Sequence, residues 1–159
     1  MNSHAQALKQ IQKLLGPKGW VGSKYEMQSY LSEERGLYNS TAAGVACPAS
    51  TEEVAQVVKI CNQARLGIVP QGGNTGLVGG CVSDFPDNNG IILSTRRINT
   101  IRHIDRINQT MTVEAGVILN QIQRKANEAG LLFPLSLAAE GSCQIGGNLS
   151  TNAGGIHVL

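Results

Sequence analysis

Val69-Pro70-Gln71-Gly72-Gly73-Asn74-Thr75-Gly76-Leu77-Val78-Gly79-Gly80 is the stretch on which the reading of this chain turns. Five glycines fall within nine residues, directly after a short apolar segment, and no lysine stands among them. A backbone that gives up so many side chains lets something large approach it closely. Main-chain N–H groups exposed in such a turn suit a phosphorylated ligand. Pro70 sets the strand exit, Gly72, Gly73 and Gly76 leave N–H groups uncovered, and Asn74 and Thr75 add short polar side chains. Plain turn chemistry accounts for the same residues in isolation.

A second cluster repeats the Gly-Gly-Asn element: Gly141-Ser142-Cys143-Gln144-Ile145-Gly146-Gly147-Asn148-Leu149-Ser150-Thr151-Asn152-Ala153-Gly154-Gly155. The two clusters hold ten of the 19 glycines in 159 residues, so the excess over the ~7% of ordinary proteins is local and marks a site. A neutral wall rich in main chain and small polar groups suits a diphosphate and the polar rim of a nucleotide cofactor; the competing reading is a surface loop. Neither cluster follows the usual phosphate grammar. There is no Gly-Lys-[Ser/Thr] as in a Walker A loop, and no glycines spaced i, i+2, i+5 as in the dinucleotide fingerprint.

Composition narrows the classes further. With 42% hydrophobic and 15% charged residues the chain reads as globular, and 159 residues suffice for a core. A net charge of +2 from scattered basic residues, with Arg96-Arg97 and Arg124-Lys125 the only adjacent pairs, argues against nucleic acid. Aromatic content of 4% argues against base-stacking platforms. No apolar run reaches the ~20 residues of a membrane span, and the polar start Met1–Ala7 lacks a secretory signal. Cys47, Cys61, Cys81 and Cys143 form no metal or redox spacing, so free, mostly buried thiols and a cytoplasmic location are expected. His4, His103 and His157 show no metal spacing, and no catalytic triad, nucleophile or carboxylate pair can be named.

Along the chain, residues 5–15 read as an amphipathic helix ended by Gly16-Pro17, and 19–39 as an irregular lead-in. Residues 41–47 read as a short strand. Ser50 with Glu53 three residues on forms a capping box opening a helix to about Arg65, with Gly67 in its C-cap region. Ile68-Val69 and 91–94 are buried strands around a polar loop at 84–90, giving β-α-β-loop-β of parallel type. From Ile101 alternation suggests an antiparallel pair, 101–106 and 110–115, turning near Asn108-Gln109. A helix at 118–129 closed by Gly130 and a strand-like 131–133 stopped by Pro134 follow. The segmentation expected is 1–40 as helix and lead-in, 41–99 as a first unit, and 100–159 as the beginning of a second. The chain ends at Leu159 just past the second cluster, so that second unit is expected to be incomplete.

These residues resemble the FAD-binding region of the vanillyl-alcohol oxidase (PCMH-type) flavoproteins, most closely the D-2-hydroxyglutarate and D-lactate dehydrogenase branch with the glycolate oxidase flavin subunit. The matching runs are Ala46-Cys47-Pro48-Ala49-Ser50-Thr51-Glu52-Glu53-Val54, Val69 through Gly80, Thr112-Val113-Glu114-Ala115-Gly116-Val117, and above all Phe133-Pro134-Leu135 to Gly155. The resemblance implies an α+β fold: a small parallel βαβ subdomain followed by the start of a larger antiparallel subdomain, with FAD between them. It implies that Gln71, Gly72, Gly73, Asn74, Thr75 and Gly76 hold the diphosphate, with Pro70 and Leu77 also cofactor-binding. Pro134, Gly141, Ser142, Gly146, Gly147, Asn148, Thr151, Asn152 and Gly155 would line the flavin side. Covalent relatives often carry a histidine in the first loop; Asn74 stands there, which implies non-covalent FAD. The implied parent is a flavin-dependent D-2-hydroxy-acid dehydrogenase that passes electrons to a second acceptor, with this portion inactive alone. No catalytic or metal-binding residue carries over. A self-contained nucleotide-binding module, a self-assembling chain pairing through open sheet edges, and an enolpyruvyl-reductase-like flavoprotein are the alternatives.

Overall fold

A computed structural model describes residues 3–38, 40–85, 87 and 89–155. Its helices are α1 (Ser3–Leu15), α2 (Lys24–Leu31), α3 (Thr51–Ala64), α4 (Leu119–Glu128) and α5 (Ile145–Ser150). Its strands are β1 (Trp20–Val21), β2 (Val45–Ala46), β3 (Gly67–Gln71), β4 (Gly90–Ser94), β5 (Ile101–Asp105) and β6 (Thr110–Val113). A four-stranded sheet runs in the order β1-β2-β4-β3, and β5 and β6 form a separate antiparallel pair. His157, which shows no metal spacing in the sequence, lies outside the described residues.

The β-α-β-loop-β reading matches the four-stranded sheet. β4 pairs in parallel with β2 (Val45↔Ile92) on one side and with β3 (Gly67↔Gly90 to Gln71↔Ser94) on the other. Because side chains alternate across a strand, the apolar runs feed two faces. Ala46, Ile91 and Leu93 pack with Ala7, Ile11 and Leu15 of α1 and Val57 and Cys61 of α3. Val45, Cys47 and Ile92 pack with Met27 of α2 on the opposite face. That double burial explains why these strands read as continuous hydrophobic runs. Pro70 sits on the edge strand β3, where a missing N–H costs no ladder bond.

The N-cap of α3 is present, since the Glu53 N–H donates to Ser50 Oγ at 3.2 Å, while the return bond of the box shifts back by one residue: Glu53 Oε2 accepts from the Ala49 N–H at 2.7 Å. The C-terminus differs from expectation. Arg65, with φ 53°, takes the left-handed cap position, and Gly67 already belongs to β3. The lead-in at 19–39 is not irregular, since it holds β1, paired Trp20↔Ala46 with β2, and α2. Within 41–47 only Val45–Ala46 joins the sheet as a named strand, and Thr41 makes an isolated bridge to Asp84. Residues 131–133 form no strand.

The β5–β6 turn falls where alternation placed it, with Gln109 at φ 54° and Asp105 Oδ1 accepting from the Ile107 and Asn108 N–H groups at 2.9 Å each. α4 ends in a Schellman motif: the Gly130 N–H donates to Asn127 O at 2.9 Å, the Leu131 N–H to Ala126 O at 2.9 Å, and Gly130 takes φ +74°. A third core gathers Val117, Ile122 and Ile145, with Ile101, Met111 and Val113 of the β5–β6 pair packed against it.

Candidate functional site

The first glycine run leaves the carboxyl end of β3 at the start of the 72–89 connection to β4. In open sheets with parallel strands, ligands bind beyond such strand ends. Gln71, the last residue of β3, is 2% exposed; its Nε2 donates to Tyr30 O at 2.9 Å, and its carbonyl accepts from the Thr95 N–H at 3.1 Å. Asn74 adopts φ 56°, and its Nδ2 donates to Ser29 O at 3.2 Å and Ser32 O at 2.7 Å, the C-terminal carbonyls of α2. The amide groups of Gln71 and Asn74 therefore hold the loop to α2, while Leu77 and Val78 further along it are exposed. Leu77 is exposed, with its carbonyl accepting from Arg35 Nη1 at 3.2 Å.

The second run is a turn followed by a helix, where a loop is the reading that glycine content favours. Gly146 and Gly147 lie in the first turn of α5. The Ile145 N–H donates to Val117 O and the Gly146 N–H to Ala115 O, both at 2.9 Å, which fixes α5 on the segment between β6 and α4. A Cβ at Gly146 would meet Ala115 Cβ at 2.7 Å, so this glycine serves close packing. Asn148 is 6% exposed, with Nδ2 3.5 Å from Cys143 Sγ. The Thr151 hydroxyl donates to Gly147 O at 3.0 Å. A Cβ at Gly155 would stand 2.8 Å from Ser136 O. Pro134 is exposed, and the exposed Ser142 donates from Oγ to Ala139 O at 3.3 Å.

The fold brings the two runs into backbone contact. A Cβ on Gly73 would overlap the Ser142 carbonyl, and one on Gly72 would lie 3.4 Å from Gln144 Oε1. Thr95, just beyond β4, donates from Oγ1 to Gln144 Oε1 at 2.6 Å. A seam thus forms from 71–73, Thr95 and 142–144. Around it Gly76, Gly141 and Gly147 have nothing within 4 Å of an added Cβ. A rim of main chain and small residues with open space beside it fits a large, flat, phosphorylated ligand. Thr95 and Gln144 escape a search for glycine motifs. The signal for Thr95 is its place at the carboxyl end of a parallel strand; for Gln144 it is position alone, inside the second run.

Beside the seam, Arg96 Nη1 donates to the Tyr30 hydroxyl, with its guanidinium carbon 5.9 Å from the ring centre. Burial raises the Tyr30 phenol and the Cys47 thiol above their ordinary ranges, so both are neutral at pH 7 and neither is an activated nucleophile. The four cysteines are unpaired, and burial pushes Cys61 up to about 11. Among the described residues no cluster of three or more His, Cys, Asp or Glu could hold a metal, and no helix is long and apolar enough to cross a membrane.

A family model described as "FAD binding domain" matches residues 42–159, which span both glycine runs and every residue of the seam. The chain belongs to the FAD binding domain family. FAD is accordingly the cofactor of the family. Among curated relatives of this FAD binding domain, a mitochondrial D-2-hydroxyglutarate dehydrogenase of Arabidopsis thaliana is 37% identical over 149 residues, 94% of this chain and 26% of that protein. One of Danio rerio is 46% identical over 112 residues, 70% of this chain and 20% of that protein. A D-2-hydroxyglutarate dehydrogenase of Xanthomonas citri is 44% identical over 115 residues, 72% and 24% respectively. The chain therefore spans about a quarter of the length of the relatives it matches. Alkyldihydroxyacetonephosphate synthase superposes with a TM-score of 0.84 at 18% identity, over 95% of this chain and 30% of that one. p-Cresol methylhydroxylase superposes with a TM-score of 0.71 at 24% identity, over 88% and 27%. These likenesses carry the fold: the parallel sheet with an antiparallel pair beside it is the PCMH-type α+β arrangement.

Proposed function

We infer that this chain is the FAD-binding portion of a longer flavin-dependent D-2-hydroxy-acid dehydrogenase. The observation that carries the reading is the seam, where two glycine runs far apart in sequence meet main chain to main chain at Gly73 and Ser142. The similarity to D-2-hydroxyglutarate dehydrogenases supports the substrate class. The 41–99 and 100–159 segments act as two subdomains with the cofactor between them. The main chain of Gly72, Gly73, Asn74, Thr75 and Gly76 holds the diphosphate, with Pro70, Gln71 and Leu77 shaping the loop. Gly141, Ser142 and Gly147 face the flavin side. Pro134, Gly146, Asn148, Thr151, Asn152 and Gly155 support that wall, several through the packing and hydrogen bonds already described. When bound, FAD supplies the acceptor for hydride from the α-carbon of a D-2-hydroxy acid, and electrons then pass to a second acceptor. Attachment is non-covalent, since position 74 carries an asparagine whose amide is tied to α2. A reducing compartment, the cytoplasm in the first instance, suits the four unpaired thiols.

The chain alone covers only part of the cofactor, so it binds FAD weakly and does not turn over. Fluorescence titration of the purified chain with FAD should give a saturable, weak dissociation constant, and acid precipitation should release all flavin. Dye reduction with D-2-hydroxyglutarate or D-lactate should be absent for the chain and present for the longer polypeptide. Turnover by the isolated chain, or no saturable FAD binding, would refute this reading.

A further inference from the structure

Gln144 belongs to no glycine motif, yet it sits where the two runs meet. It is 8% exposed, and although it precedes α5 its side chain makes no capping bond. Its Oε1 accepts from Thr95 Oγ1 at 2.6 Å. That length suits O–H···O and is short for N–H···O, so the carbonyl side of the carboxamide faces Thr95 and the amino side faces away. The Thr95 N–H in turn donates to Gln71 O at 3.1 Å. The path Gln71–Thr95–Gln144 therefore ties the carboxyl ends of β3 and β4 to the second run. The aliphatic part of Gln144 lies along Gly72, 3.5 Å from where a Cβ there would be.

The amino group is the unspent part. Gln144 Nε2 has no partner among the described residues, and it is not one of the sealed, unpaired polar atoms, which are Glu33 Oε1 and Ser83 Oγ. The neighbouring buried amides are committed: Gln71 to Tyr30 O and Asn148 toward Cys143 Sγ. The first N–H groups of α5 are committed as well, to Val117 O and Ala115 O. Among the side chains of the seam the Gln144 carboxamide is the donor left over, held in one orientation and still open on one side.

We propose that Gln144 is a cofactor-contacting and positioning residue: Thr95 locks its carbonyl, and its Nε2 donates to a diphosphate oxygen of the FAD bound beside Gly72. The proposal rests on the FAD reading above. Hydrogen bonds from a fixed donor to a charged acceptor are among the stronger ones. Losing this one should weaken FAD binding about tenfold, and placing a carboxylate there roughly tenfold to a hundredfold.

The test is FAD titration of the 159-residue chain and its variants, with folding checked by circular dichroism. Gln144→Met should raise the dissociation constant for FAD and for ADP by the same factor and leave riboflavin binding unchanged. Gln144→Glu should bind worst at pH 8 and recover as pH falls toward 5, because a protonated carboxyl again offers one donor and one acceptor; wild type should show no comparable gain. Thr95→Val should weaken binding severalfold, and Thr95→Ser should restore it. If Gln144→Glu does not fold, the Met and Thr95 variants decide alone. Variants that bind FAD within twofold of wild type would overturn the proposal and leave the FAD reading standing. A loss confined to FAD and absent with ADP would overturn the diphosphate contact. Wild type that binds neither nucleotide would overturn the FAD reading, and this proposal with it.

Discussion

At the scale of the residue, glycines that look alike in sequence do different work. Gly73 permits close approach within the protein: a methyl there overlaps the Ser142 carbonyl, a backbone atom that cannot swing aside. Gly147 has open space around its Cβ position and lies in a helix. Gly73→Ala should therefore lower stability by about 1–3 kcal/mol, as overpacking does, and weaken FAD binding as well. Gly147→Ala should raise stability by roughly 0.5–1 kcal/mol through lower backbone entropy, yet still weaken FAD binding, because the methyl enters the open space that the proposed function assigns to the cofactor. Urea unfolding and FAD titration on both variants check this, and a Gly147→Ala protein with unchanged affinity would remove Gly147 from the site. The sequence made the local glycine excess readable as a site. It could not sort packing glycines from ligand-facing ones, because the atom that each packing glycine would strike comes from elsewhere in the chain: Ser142 for Gly73, Ala115 for Gly146, Ser136 for Gly155. Gln71 and Asn74 show the same limit: their types suit a ligand, but α2 claims their amides.

At the scale of the element, what was legible depended on length and local chemistry. β3, β4, α3 and the β5–β6 pair announce themselves by apolar runs, a capping box and alternation. α2 was missed although it carries the same kind of cap as α3: Ser23 Oγ accepts from the Glu26 N–H at 3.3 Å. Its single buried residue, Met27, gives no helical stripe to read. β1 and β2 have two residues each, so pairing defines them and periodicity cannot. α5 forms despite two glycines because Ala115 and Val117 carbonyls hold its first turn. The β5–β6 pair allows a pH test. Arg102 lies 2.8 Å from Glu114 Oε1 and holds that carboxyl below its ordinary range, and hydrogen bonds from Asn108 do the same for Asp105. Lowered folded-state values mean that the stabilisation is present above the unfolded values, near pH 4, and is lost as pH falls through the folded ones. Glu114→Gln should thus be less stable than wild type at pH 7, and the gap should close below about pH 4. Thermal melts across that range check it, and a gap that does not narrow as pH falls from 7 to 3 would contradict the role given to the ion pair.

At the scale of the whole molecule, the apolar cores divide along the chain. The two clusters around the parallel sheet draw their buried residues from Ala7 to Leu93, whereas the two around α4 and α5 draw theirs from Val117 to Ile145. Few bonds join them: the Gly116 N–H to Ile98 O at 2.8 Å, the Thr95–Gln144 bond at 2.6 Å, and the Gly73–Ser142 contact. Two cores with a thin polar seam should open as separate units, since local opening follows the density of buried contacts. Hydrogen exchange should therefore find the amides of β3, β4 and α3 protected longest, with β5, β6 and α4 exchanging together in a second, faster group. Bound FAD, touching both sides of the seam, should slow exchange at 72–76 and 141–148 and draw the two groups closer together. Thr95→Val should do the opposite without FAD, speeding exchange in the second group while sparing the first. If all buried amides instead exchanged as one cooperative set with and without FAD, the seam would be part of a continuous core, and the two-subdomain cleft proposed for the cofactor would have to be abandoned.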